Sequence, residues 1–267
     1  MLKKRVIFTL LYDNGHFMLS RNFNLQKVGN MQWLKKNYNF SHISFSIDEL
    51  IILDVTREDR NEEIFLEHLR LLNDESFVPI AAGGGIREVN QARKLLHSGA
   101  DKAVINTLLI EDVGAILEIA EEFGQQCIVA SVDVKLINGD FTVWTHNGSV
   151  MQNISLNKWL ENIATLPIGE VYLNSIDRDG TGHGYLTELI EQIPDLFSIP
   201  VILAGGAGKY SHFLEVIQDE RVDAVATANL LNFIGDGLKK SRQELIDEEF
   251  NLPIWDVNLA TDLKNCL

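Results

Sequence analysis

A carboxylate at the end of a buried apolar run is costly unless it is used or paired. In "CIVASVDVK" that carboxylate is Asp133. It can serve as a general acid or base beside a bound substrate. The structural alternatives are an ion pair with Lys135 or an internal hydrogen bond. Glycines give a second chemical signal. "GGG" at 83–85 and "GG" at 205–206 each close an apolar run. Glycine lets a backbone N–H approach an anion with no Cβ in the way. Polar triplets follow each, "INT" at 105–107 and "TAN" at 227–229. Both precede a short helical stretch whose N–H groups would face an oxyanion. One Gly-rich turn alone reads as a tight turn. Two matched pairs favour phosphate, one site at each end of a substrate. Gly84, Gly85, Asn106 and Thr107 would form the first, and Gly205, Gly206 and Asn229 the second. In "NSIDRDGT", Asp179 and Gly180 would form a loop closing on a phosphate.

These residues need a scaffold. Eight short aliphatic runs carry them: "RVIFTLL", "DELIILDV", "FVPIAAGG", "KAVIN", "CIVASVDV", "EVYLNSID", "IPVILAGG" and "DAVATA". Consecutive apolar positions suit parallel strands buried on both faces. Helical patterns lie between them. "RNEEIFLEHLRLLND" sets Ile64, Leu66, Leu69 and Leu72 mostly on one side. "VNQARKLLHSGA" and "DVGAILEIAEEFG" end at the C-cap glycines Gly99 and Gly124. Ser211 is a cap candidate for "KYSHFLEVIQDE". Eight strands with intervening helices predict one (β/α)₈ TIM barrel, with a doubly wound open sheet as the rival.

The chain also resembles itself. Pro79 and Pro200, in "VPIAAGGGI" and "IPVILAGGAG", lie 121 positions apart. Glu49 and Glu170 are 121 apart, and Asp101 and Asp223 are 122 apart. One shared period predicts two half-barrels, approximately 1–122 and 123–250, followed by a tail over 251–267. Carrying Asp133 back by one half-barrel lands on Leu11. The repeat asks for a carboxylate there and finds none. Asp13 lies two residues further, in the turn "YDNG", and reads as a turn former.

The bulk composition narrows the partners. The 267 residues carry a formal net charge of −15. That argues against a general nucleic-acid or anionic-membrane surface, while leaving room for a local anion site. No signal peptide and no membrane span of about 18 apolar residues is expected. Two cysteines, Cys127 and Cys266, fit a reducing cytosol, and Cys127 is expected to be buried packing. Neither a cofactor nor a metal is expected.

"GADKAVINT" and "SIDRDGTGHGY" are more specific than generic barrel features. With "LKKRVI" and "GGAGKYSHFLEVI" they extend over nearly the whole chain, and they resemble the HisF family, the cyclase subunit of imidazole glycerol phosphate synthase. The resemblance implies a glutaminase partner and a bisphosphate substrate. Ammonia made by the glutaminase would enter at the barrel bottom and travel up its centre. At the top it would convert a formimino-ribulosyl aminoimidazole carboxamide to imidazole glycerol phosphate. The family's bottom ring of four charges is matched by Arg5, Glu49, Lys102 and Glu170. Asp101 matches an acidic residue that faces the glutaminase. The phosphate loops match at Gly84, Gly85, Asn106, Thr107, Asp179, Gly180, Gly205 and Gly206, with Asn229 in place of a serine. Of two catalytic aspartates, Asp133 matches one and Leu11 replaces the other; a lysine near one phosphate falls on Leu19. Leucine can neither donate nor accept a proton.

An intact ring beside a missing aspartate resembles a divergent branch encoded with surface-polysaccharide genes. That branch works with a glutaminase and a third, amidotransferase-like protein, delivering ammonia to turn an N-acetyl sugar group into an acetamidino group. The "LL…NG" around Leu11 and the "THNG" at 145–148 are similar to its members. Three functions are therefore expected in order: ammonia supply for sugar amidation, an ordinary histidine-pathway cyclase, and a non-catalytic conduit or glutaminase activator.

Overall fold

The computed structural model describes residues 3–37, 46–228 and 237–254. Twelve strands form one sheet among the described residues. They are β1 Arg5–Asp13, β2 His16–Arg21, β3 Asn24–Asn30, β4 Glu49–Asp54, β5 Ile80–Gly83, β6 Lys102–Ile105, β7 Ile128–Ile137, β8 Asp140–Thr145, β9 Val150–Ser155, β10 Glu170–Ser175, β11 Val201–Ala204 and β12 Ala224–Thr227. Eight pair in parallel in the order β1-β4-β5-β6-β7-β10-β11-β12 and back to β1. The closed ring is a (β/α)₈ barrel, and all eight apolar runs supply its strands.

Residue parity along each strand separates two cores. Alternate side chains meet the helices: Val6, Phe8, Leu10, Leu50, Ile52 and their counterparts. The others meet on the barrel axis. Ile7, Ile51, Ala81, Val104, Val129, Tyr172, Ile202, Ala204, Ala224 and Ala226 form this inner layer. Ile7, Ile51, Val129 and Ile202 are each 0 % exposed, so the axis is filled. Four alanines and one tyrosine, Tyr172, belong to this layer.

The helices follow their capping signals, with two corrections. Asn61 caps Glu62–Glu75 by accepting from the Ile64 N–H, and Asp112 caps Val113–Phe123 by accepting from Ala115. Gly99 and Gly124 hold φ of +104° and +88°, the left-handed backbone that ends a helix. Helix Glu62–Glu75 buries Phe65, Leu66, Leu69 and Leu72. Ile64 lies off that stripe and stays 37 % exposed, contrary to the sequence expectation. Ser211 is not a cap either: it lies inside Tyr210–Ile217, where Lys209 takes the N-cap position without a side-chain bond. Cys127 is half-buried, on the short turn before β7, with its thiol against the Phe123 carbonyl.

Two antiparallel hairpins extend the barrel and were not anticipated. β2 and β3 continue from β1, and β8 and β9 continue from β7. They spring from the first and fifth barrel strands. Their tips converge. Phe23 approaches so closely that a Cβ added to Gly148 would stand 2.7 Å from its ring.

Candidate functional site

The C-terminal ends of the barrel strands surround one cavity. Gly84, Gly85, Asn106, Thr107, Asp133, Asp179, Gly180, Gly205 and Gly206 all line it. Asn229 lies outside the described residues. Strand β7 carries Val129, Ser131 and Asp133 on its inward face, so Asp133 reaches the cavity from above the inner layer. It is only 9 % exposed. The Asn106 amide donates to Asp133 Oδ2 at 2.9 Å, and the Asn174 amide donates to Oδ1 at 3.2 Å. Lys135 is not its partner; that ammonium lies 4.6 Å from the Trp144 ring centroid. Burial pushes the Asp133 carboxyl up to about 7, opposed by the Asn174 hydrogen bond and reinforced by the charge of Asp179. A carboxyl at that value can give or take a proton near neutral pH.

Leu11 stands across the barrel from Asp133, four strands away in either direction around the ring. Both line the cavity, and Leu11 is joined there by Leu25 and Leu53. These three leucines form an apolar patch on that wall. Asp13 does not line the cavity; its Oδ1 accepts from the Thr56 hydroxyl at 2.9 Å.

The loops differ in what they offer. Gly84 and Gly85 have φ of +103° and +68°. A Cβ on Gly84 would stand 2.0 Å from the Asp54 carbonyl oxygen, so this turn tolerates no side chain. Thr107 accepts from the His146 N–H at 3.2 Å, tying the β8–β9 turn to this side. Asp179 behaves otherwise. Its Oδ2 accepts from the Ser20 hydroxyl and from the Phe23 N–H, so the carboxylate anchors the β2–β3 hairpin. Among the described residues three buried polar atoms on the wall make no hydrogen bond, Asn106 Oδ1, Thr227 Oγ1 and Arg60 Nε, the last lying within ion-pair distance of Asp54. The first two are unmet hydrogen-bonding sites of the kind a ligand satisfies.

Several cavity residues escaped the sequence reading: Thr9, Asp54, Arg57, Arg60, Arg87 and Tyr172. Position in "DVTREDR" was the available signal for two of the arginines, since the segment follows a strand directly. Tyr172 reaches the cavity floor from the inner layer, its hydroxyl 3.4 Å from that of Thr9.

At the other end of the barrel, Arg5, Glu49, Lys102 and Glu170 each begin a strand. Arg5 Nη1 lies 2.9 Å from Glu49 and 2.8 Å from Glu170. Lys102 Nζ lies 2.9 Å from each of the same two carboxylates. The four close a ring of alternating charge. Burial raises the Glu49 carboxyl, with Glu170 adding to the rise and Lys102 and Arg5 opposing it. Asp101 stands nearby with one oxygen committed, accepting from the Ile80 N–H at 2.8 Å. Asp48 and Asp223 make the same bond to Val6 and Val201 at 2.8 and 2.9 Å.

Comparison with known proteins agrees with this geometry. Residues 26–235 match the family described as histidine biosynthesis protein. A provisionally named imidazole glycerol phosphate synthase subunit hisF2 of Parasynechococcus marenigrum is 46 % identical over 265 residues, covering 99 % of this chain and 98 % of that one. The chain belongs to the HisF family. HisF subunits of imidazole glycerol phosphate synthase from a Thermotoga species and Chlorobaculum parvum are 37 % and 34 % identical. The alignments cover 87 % and 93 % of this chain and 90 % and 98 % of those relatives, respectively. In this HisF-family barrel Leu11 and Asp133 line the same cavity from opposite strands. Leu19 lies on β2 paired with Gln26 and does not line the cavity. No described helix is long and apolar enough to cross a membrane. Among the described residues no group of three or more His, Cys, Asp or Glu could hold a metal ion.

Proposed function

We propose that this chain is the synthase subunit of an ammonia-using complex, acting in the cytosol in a divergent branch that supplies ammonia for amidation of a surface-polysaccharide sugar. The observation that carries this reading is a closed charged ring at one end of the barrel with a leucine across from Asp133 at the other. The ring Arg5–Glu49–Lys102–Glu170 is the gate in this reading, with a HisH-like glutaminase docked below it beside Asp101. A third, amidotransferase-like protein completes the reaction. The relatives are named as subunits, which supports a multi-protein assembly.

In this scheme Asp133 handles protons at the cavity. As a neutral acid it donates to a departing oxygen. As a carboxylate it accepts one of the protons that ammonia sheds on attacking carbon. Asn106 and Asn174 hold its two oxygens in place for either role. The histidine-pathway cyclase reading needs a second acid–base group, and Leu11 supplies none. A purified sample given the formimino-ribulosyl bisphosphate and an ammonium salt is therefore expected to form no imidazole glycerol phosphate. Robust product formation sinks the proposal and also the conduit reading.

The gate makes a separate prediction. Lys102→Met breaks the ring at two of its four contacts. Product formation driven by glutamine through the partner is expected to fall about tenfold or more. Formation driven by added ammonium salt should be preserved, because that ammonia can enter from the mouth. Equal loss in both assays would remove the gate role.

A further inference from the structure

The cavity is electrostatically one-sided. Its wall carries three cations among the described residues, Arg57, Arg60 and Arg87. All three sit on the loops after β4 and β5, beside the Gly84–Gly85 turn. The described loops after β10, β11 and β12 bring no lysine or arginine to the wall, and they do bring the half-buried carboxylate of Asp179. Their orphan polar atom is a neutral hydroxyl, Thr227 Oγ1.

Arg60 is the best placed of the three. Its Nε lies 3.0 Å from Asp54 Oδ2, and its Nη2 donates to the Thr56 carbonyl at 2.6 Å. Asp54 is itself fixed, its Oδ1 accepting from the Thr56 N–H at 3.0 Å. The remaining nitrogen, Nη1, has no acceptor among the described residues and lies directly over the glycine turn. A Cβ on Gly85 would stand 0.9 Å from it. One edge of the guanidinium is thus hydrogen-bonded, the Nε edge faces the Asp54 carboxylate as an ion pair, and Nη1 is presented where the glycine backbone is barest. A planar guanidinium held this way matches the oxygens of a phosphate group.

We propose that the ligand carries its negative charge at one end only, as a phosphate or diphosphate ester held under Arg60 at Gly84–Gly85. Arg57 and Arg87 border the same end. The other end of the ligand is uncharged and hydrogen-bonding, and lies against Thr227. A second phosphate there would face Asp179 with no cation to offset it. This revises the expectation of one phosphate at each end. It rests on reading the Gly84–Gly85 turn as an anion site.

Titration calorimetry of the full chain with inorganic pyrophosphate tests it. Wild type is expected to bind, more weakly as salt is raised. Arg60→Met should weaken binding about tenfold or more, and Arg60→Lys should recover part of the loss, since a point charge replaces a planar fork. Thr227→Val should leave pyrophosphate binding unchanged. Because Arg60→Met strands the buried Asp54 carboxylate, a double variant, Asp54→Asn with Arg60→Gln, provides a folded control without that charge, and it should lose binding equally. Wild-type affinity in Arg60→Met or in the double variant overturns the role of Arg60 while keeping the anion site. Equal losses in Arg60→Met and Thr227→Val overturn the one-sided ligand. No binding to wild type overturns the anion site itself and this inference with it.

Discussion

Replacing Asp133 by Asn is expected to lower product formation by about 10²- to 10⁴-fold, the range for loss of a general acid or base, while the protein stays folded. The fold should survive because the site can re-pair. Asn106 and Asn174 now donate to the two Asp133 oxygens. An asparagine at 133 presents one oxygen and one NH₂. Asn106 has an unused Oδ1, so rotating its amide gives the new NH₂ an acceptor. Substrate binding should persist, which separates loss of proton transfer from loss of the site. A conduit without chemistry predicts no effect of this substitution on product formation.

The same variant has a stability signature. Asp133 keeps its proton in the folded protein up to about 7, against an ordinary value of 3.8. Between those limits the folded state holds a proton that the unfolded state has released. That contribution to stability is full below the lower value and is lost as pH rises through the upper one. Asparagine does not titrate. Denaturant melts should therefore find the variant more favoured relative to wild type at about pH 8 than at about pH 4, by a few kcal/mol. A variant whose relative stability ignores pH would mean that Asp133 is ionised throughout.

The largest stability loss is expected at the opposite end, for Arg242→Met. Arg242 reaches from helix Gly237–Asp247 to Asp48, just before β4, with bidentate bonds of 2.6 and 2.7 Å. It also donates to the Pro253 carbonyl, so one guanidinium joins a helix, the barrel wall and the segment that follows the helix. Both partners are almost wholly buried, with 5 % and 3 % of their side chains exposed. Removing the cation leaves a carboxylate out of water without its partner, which costs about 3–5 kcal/mol. Among the described residues Asp48 then keeps the Val6 N–H as its side-chain partner. Chemical denaturation of the single variant would show this as a lower midpoint. A double variant, Arg242→Met with Asp48→Asn, should recover part of the loss. If the single variant melts like wild type, the pair contributes nothing to folding.

The barrel strands were legible because each is buried on both faces and so reads as an unbroken aliphatic run. The hairpins were not, since β2 and β3 are half-exposed and mix polar with apolar residues. Their turns did leave a mark. Asn14-Gly15 and Asn138-Gly139 both hold positive φ at both positions, the backbone that Asn-Gly adopts in a two-residue hairpin. Read as hairpin signals, these two pairs would have exposed the insertions. Leu66, Leu69 and Leu72 are buried as expected, and Ile64 was misjudged because Phe65 is the residue that opens the stripe. The glycine loops and Asp133 were visible through their strand-end positions. Arg60 was not, because its importance comes from its contact with Gly85, some 25 positions along the chain, and only folding brings them together.

The filled axis has a consequence for protons. Proton hopping needs a continuous file of waters or hydroxyls, and the layer between the charged ring and Thr9 provides only hydrocarbon and one phenol. Its members are sealed from solvent, so the ring and Asp133 are electrically insulated from each other although they share a barrel. A small uncharged solute would need only a transient gap between these side chains, with no hydration shell of an ion to shed. An ion has no comparable route, because its hydration shell would have to be stripped first. The column therefore behaves as a dry seal that sorts by charge, and Asp133 must exchange its proton with the mouth alone.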